Sequence, residues 1–167
     1  CSVDHFGERA EWLRKGTDWG KVENNLLTFR DLDYVTFQMN TVFSMFNYPM
    51  IGEFYQYLKD KNIVRTEDWY HSLYLAVHPS YYSAKSLPKE LKIEAAENAL
   101  KFADKFEGDK TSLSRLIRDA VNFAGEDDTW ADNKKIMLQH TASIDTIRDE
   151  DFWSVFPELN RMRDLEL

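Results

Sequence analysis

The chain holds a single cysteine, Cys1, in 167 residues. No disulfide can form within it, which excludes a small stapled scaffold. Glycine and proline are also scarce, at 6 and 4. No glycine-rich phosphate loop, Gly-x-Ser-x-Gly elbow or His-Glu-x-x-His pair occurs. No apolar run approaches the roughly 20 residues of a membrane-spanning helix, and no secretory signal pattern is visible. Positive charge is in deficit, with 21 Lys and Arg against 29 Asp and Glu, a net charge of -8. Such a surface repels a phosphate backbone, and no basic stripe reverses it. Neither nucleic acid nor a membrane is an expected partner. One cysteine is consistent with a reducing compartment, so the expected location is cytoplasmic.

What is present is apolar and aromatic material. Hydrophobic residues make up 43% of the chain and aromatics 14%, too much for a disordered segment and enough to bury a proper core. The length suits one domain. Cys1-Ser2-Val3-Asp4 has the character of a strand end. Helices are expected over Glu8 to Arg14 and, after Asp18 as N-cap, over Trp19 to about Arg30. Asp33 to Met39 alternates, with Val35, Phe37 and Met39 on one side, and predicts a strand. Asn47 ahead of Tyr48-Pro49 opens a helix to about Lys61. Trp69 to Val77 is the next strand, stopped by His78-Pro79. A helix from near Pro88 to about Phe106 follows. Beyond Gly108 the pattern is helical: Thr111 to Ala124, Thr129 to about Ile147 behind Asp127-Asp128, and a short turn after Asp151.

Strands alternating with helices imply right-handed βαβ units and a parallel sheet. The expected fold is therefore helix-rich α/β. It is an incomplete, partial parallel β/α barrel of about three strands over residues 1–107, with a helical C-terminal region over 108–167 packed on it as one folding unit.

Three segments resemble the radical S-adenosylmethionine (radical SAM) enzymes of the SPASM/twitch type. The first carries Ser2, Asp4, Glu11-Trp12-x-Arg14, Gly16 and Trp19, similar to that family's strand end, acidic-aromatic-x-Arg stretch and Trp-led helix. The second carries Thr41, Val42 and Asn47, similar to the next strand and its helix start. The third, Leu73 to Lys92, is similar to a later barrel strand and its loop, and the ending from Asp145 to Leu159 is like twitch-type tails. The resemblance runs through nearly the whole chain and rests on order and spacing. It implies a cofactor, S-adenosylmethionine, beside a 4Fe-4S cluster held by a Cys-x3-Cys-x2-Cys loop. This chain departs there, because such clusters need thiolates and only Cys1 is available. The expectation is a fragment of such an enzyme, acting on a peptide or small substrate and inactive alone. The alternative is a non-catalytic binding or scaffold protein derived from that fold. The fragment reading expects self-association through an exposed sheet edge.

Candidate site residues follow from strand ends, where α/β folds gather ligands. Ser2 and Asp4 are cofactor contacts by resemblance, or caps of the turn into Gly7. Arg14 can clamp a carboxylate, or pair with Glu11 or Asp18. Asn40, Thr41 and Asn47 can bind ribose or substrate, or Asn47 can cap its helix. His78, Tyr81 and Tyr82 are candidate substrate contacts, with His78 otherwise bonding locally in its loop and the tyrosines otherwise building core. His5, His71 and His140 are too scattered for a metal site.

Overall fold

The computed structural model describes residues 1–64, 70–105 and 113–164. Ten elements carry it: α1 (Gly7–Leu13), α2 (Trp19–Arg30), β1 (Gln38–Phe43), α3 (Ile51–Asp60), β2 (Tyr70–Leu75), α4 (Lys89–Asp104), α5 (Leu113–Gly125), α6 (Trp130–Arg148), α7 (Phe152–Val155) and α8 (Arg161–Asp164). Short 3-10 turns fill the connections after β1 and β2. The expected boundary at 107/108, the helix ends at Phe106 and Thr111, and Trp69 lie outside the described residues.

The local signals behave as capping chemistry dictates. The Asp18 side chain accepts from the Lys21 backbone N–H and starts α2. Asp151 accepts from the Trp153 N–H and starts α7. Asp128 accepts from the Trp130 N–H at the mouth of α6, at 3.3 Å. Each satisfies a donor that the first helical turn leaves orphaned.

β1 and β2 pair in parallel, in register from Gln38 with Tyr70 to Phe43 with Leu75. The expected third strand is reduced to one bridge, Ser2 beside Asn40, also parallel. Its bonds are Val3 N–H to Asn40 O at 2.9 Å and Asn40 N–H to Cys1 O at 2.7 Å. The sheet is thus smaller than expected: two strands and a bridged third segment among the described residues. The first strand also sits later than the alternation predicts, at 38–43 rather than 33–39. The alternation has the right phase, since Met39, Thr41 and Phe43 continue the Val35-Phe37 stripe and are buried. Its ends are wrong because a strand exists only where a partner lies alongside, and β2 and Cys1 meet this segment from Gln38 onward. Tyr34, outside the ladder, is 86% exposed.

The buried side of the sheet meets α3, whose Ile51, Phe54, Tyr55 and Leu58 recur at helical spacing and are each 0% exposed. The other side of the sheet is open. Gln38, Val42 and Tyr74 on it are exposed, and Asn40 and Ser72 are half-buried. α3 approaches α4 so closely that a Cβ built at Gly52 would lie 2.9 Å from Phe102 Cβ and 3.2 Å from its Cγ. Overpacking costs about 1–3 kcal/mol, while alanine gains about 1 kcal/mol of helix propensity over glycine. Gly52→Ala is expected to lower the urea midpoint; an unchanged or higher midpoint would show that α3 and α4 part without cost.

The C-terminal helices return to the first segment. Arg9 makes a two-pronged pair with Glu158, at 3.0 and 2.7 Å. Trp12 Nε1–H donates to Asp145 at 3.3 Å, and Arg148 donates to the Trp12 carbonyl at 2.8 Å. Rings of Trp12, Phe46, Phe152 and Phe156 pack with centroids 4.9 to 5.9 Å apart. These contacts join residues of α1 to α6, α7 and the turn beyond.

Candidate functional site

All three parallel segments end on the same side, and their following residues converge there. Asp4 ends the first. Ser44 and Phe46 follow β1. Ala76, His78, Pro79 and Tyr82 follow β2. With Leu13, Arg14 and Val42 they line a cleft of about 380 Å3 on the open side of the sheet. That volume lies within the span of small-molecule pockets, about 300–1,000 Å3. Its floor is largely apolar, and its rim carries Asp4, Arg14, Ser44 and His78.

Asp4 does two jobs. Where the chain leaves the sheet after Val3, the Val42 N–H loses its expected backbone acceptor. The Asp4 carboxylate replaces it, accepting at 2.9 Å. Its other oxygen accepts from Arg14 Nη2 at 2.8 Å and Nε at 3.2 Å, and Arg14 Nη2 also donates to Ser2 Oγ at 3.2 Å. Asp4 therefore terminates the ladder and aims Arg14, whose side chain remains 52% exposed. The partner of Arg14 is Asp4, not Glu11 or Asp18. Its Nε–Nη2 edge, the one suited to a bidentate carboxylate, is already taken. Glu11 instead accepts from the Trp19 backbone N–H.

Asn47 is a clasp rather than a helix cap. It is 0% exposed. Its Oδ1 accepts from the Ser44 N–H at 2.9 Å, and its Nδ2 donates to Asp4 O at 2.9 Å and to Val42 O at 2.7 Å. One buried amide thus ties the ends of two parallel segments together, and every polar atom of it is spent on the protein. Thr41 is also 0% exposed and donates to Val3 O. Asn40 and Thr41 lie within β1, not after it, because the strand runs to Phe43. Asn40 looks toward the open side and Thr41 into the core. The expected cofactor contacts at Thr41 and Asn47 are therefore corrected to structural bonds, since burial closes both to any ligand.

His78 and Tyr82 line the cleft from the far wall, and His78 is exposed. Tyr82 is half-buried. Its backbone accepts from the Met45 N–H at 3.0 Å and its ring stands edge-on to Phe46, centroids 4.7 Å apart. Burial, with the nearby Tyr81 adding and Arg148 opposing, pushes the Tyr82 hydroxyl up to about 12, so it keeps its proton at neutral pH. Tyr81 stands beside Tyr82 and His140, outside the cleft lining.

Of the residues singled out from the sequence, Asp4, Arg14, His78 and Tyr82 share the cleft, with Ser2 one hydrogen bond away. Phe46, Leu13 and Ala76 were not legible as site residues, because an apolar side chain at the end of a strand or helix looks like core. His140 was dismissed as scattered, yet its Nδ1 lies 2.6 Å from the Tyr82 hydroxyl. Only the packing of α6 on the loop after β2 brings it there.

No group of three or more His, Cys, Asp or Glu among the described residues is placed to hold a metal ion, and Cys1 is exposed and free. The residues present do not fit a 4Fe-4S cluster, which requires several thiolates. Compared with known proteins, the chain matches no family model, and no curated protein or solved structure is significantly similar to it.

Proposed function

We propose that this chain is the C-terminal part of a cytoplasmic radical SAM protein of the SPASM/twitch type. In this reading the three parallel segments are consecutive wall strands of a partial barrel. The cleft holds S-adenosylmethionine or the small substrate or peptide that the radical attacks. The observation that carries the reading is the convergence of Asp4, of Arg14 after α1, and of His78 and Tyr82 from the loop after β2 on one cleft at the C-terminal ends of parallel strands. Parallel α/β folds concentrate their chemistry at that edge, and the open side of the sheet is the side a barrel turns inward. Arg14, held by Asp4, offers its remaining amino group to an anionic portion of the ligand. The apolar floor takes a flat or aliphatic portion and limits water.

The cluster must come from residues outside this chain, and no step through it is assigned to residues here. A non-catalytic binding protein with the same cleft is the second reading, and the single cysteine is what favours it.

Titration calorimetry with S-adenosylhomocysteine tests the site, since this thioether needs no cluster to bind. Saturable binding that weakens about tenfold in Arg14→Gln, the scale of one charge-assisted hydrogen bond, supports it. No heat at millimolar ligand removes it. The native gene upstream of the Cys1 codon then separates the two readings. An open frame encoding Cys-x3-Cys-x2-Cys makes the chain part of a radical enzyme, and an open frame without that motif leaves the binding protein.

The outer edge of the Ser2 segment has no strand beside it among the described residues. Unpaired edges recruit other strands. The chain on its own is expected to self-associate, seen as a concentration-dependent sedimentation coefficient. A single monomeric species at all concentrations would argue that the edge is already protected.

A further inference from the structure

The loop after β2 supplies His78, Pro79 and Tyr82 to the cleft, and α6 holds that loop at two places. At the start of the helix, Ser80 Oγ donates to Asn133 Oδ1 and Asn133 Nδ2 donates to Ser86 Oγ, both at 2.9 Å. Ser86 Oγ also donates to Ser80 O at 2.8 Å and pairs with Thr129 Oγ1 at 2.8 Å. Asn133 and Ser86 are buried, at 9% and 0% exposed, so this network fixes the base of the loop. Two turns along the same helix, His140 Nδ1 meets the Tyr82 hydroxyl at 2.6 Å. A phenol can donate or accept and an imidazole nitrogen can do either, so the contact is a hydrogen bond whichever tautomer His140 takes. The Tyr82 ring also stands edge-on to Phe46 and to Tyr81, with centroids 4.7 Å apart in each pair.

We infer that His140 is a positioning residue of the cleft: by its hydrogen bond with the Tyr82 hydroxyl it holds that ring as the aromatic wall, and the cleft selects ligands with a flat portion that packs on it. The inference rests on the reading of the cleft as a ligand site. It makes α6, from the C-terminal helical region, part of that site although it contributes no lining residue. A hydrogen bond at a half-buried ring is worth about 1 kcal/mol, but its geometric effect falls on the ring that the ligand meets. Without it, only the edge-on contacts with Phe46 and Tyr81 orient the Tyr82 ring, whereas the Ser80–Asn133–Ser86 network keeps the loop folded.

The test compares wild type, His140→Phe, His140→Asn and Tyr82→Phe. The asparagine amide can present a donor or an acceptor near the position of Nδ1, and phenylalanine keeps a ring without either. Binding of S-adenosylhomocysteine is expected to weaken about tenfold in His140→Phe and Tyr82→Phe, the scale of one hydrogen bond. It should return toward wild type in His140→Asn, with thermal midpoints of all four close together. Equal affinity in wild type and His140→Phe overturns the inference, as does failure of His140→Asn to recover any affinity. Methyl NMR of Ala76 and Val42, which line the cleft, reads the wall without ligand. Their shifts should move in His140→Phe and return in His140→Asn. If wild type binds no S-adenosylhomocysteine, the proposed function falls, and the methyl shifts alone decide the positioning role: unmoved shifts overturn it, moved and rescued shifts sustain it.

Discussion

Replacing Phe156 by alanine is expected to destabilise the protein by about 3–5 kcal/mol, the range for deleting a buried phenylalanine ring. Phe156 is 0% exposed. Its ring lies 5.5 Å from Trp12, 4.9 Å from Phe152, 5.8 Å from Phe46 and 6.2 Å from His5, centroid to centroid. The Arg9 guanidinium stands over it at 5.9 Å, held there by Glu158. Those neighbours come from α1 and the residues just before it, from the turn after β1 and from α7. Truncation leaves a cavity that several elements would have to collapse into together, and close-packed interiors relax only in part. The urea midpoint should fall with an unchanged slope, followed through tryptophan fluorescence because Trp12 touches the altered ring. Against a typical stability of about 5–15 kcal/mol, a change this large decides whether the protein stays folded. A loss below about 1 kcal/mol, the ordinary scale of surface substitutions and mild core changes, would mean that the C-terminal tail is not integral to the fold.

Acidification is the second large effect. His5 and His71 are 0% and 8% exposed. Burial, with Arg9 adding, lowers His5 from 6.5 to about 3, and burial lowers His71 from 6.5 to about 4. Both are neutral in the folded protein at neutral pH. His5 accepts the Phe6 N–H on Nδ1, which leaves its proton on Nε2 among the rings of Phe6, Phe54 and Phe156. In the unfolded chain both protonate below 6.5, so the unfolded state binds more protons between 6.5 and the folded values. Stability is full above pH 6.5 and falls as pH drops through that window. At pH 5 each histidine accounts for about 1.5 pH units, roughly 2 kcal/mol, and the pair for about 4 kcal/mol. Carboxylates are still mostly ionised there, so the loss between pH 6.5 and 5 belongs to the histidines. Urea midpoints at pH 7.5, 6 and 5 should show it, and His5→Phe should remove about half of the slope. A flat profile in wild type, or the full slope in His5→Phe, would contradict neutral burial.

The helices show how far local chemistry reaches. α2 begins where Asp18 caps it, α7 where Asp151 does, and the apolar spacing of α3 places Phe54 and Tyr55 in the core. These signals act within a few residues, along one stretch of chain, and so they are legible in the sequence. The phase of β1 is legible for the same reason, since side chains alternate along a strand whatever it pairs with. Its ends are not, because the hydrogen bonds that define them come from β2 and from the segment before Asp4.

The cleft divides along the same line. Asp4, Arg14, His78 and Tyr82 could be named in advance because polar and aromatic residues in the segments that follow strands and helices carry their own signal. The sequence by itself determined a helix-rich α/β chain with one cysteine and a net charge of -8. Only the tertiary structure decided that Asp4 terminates the ladder and occupies the fork of Arg14. It alone decided that Asn47 and Thr41 are buried clasps, and that His140 stands against Tyr82. Each of those outcomes depends on which atom meets which across 10 to 58 residues of chain. Such meetings are set by packing of whole elements, which no local pattern encodes.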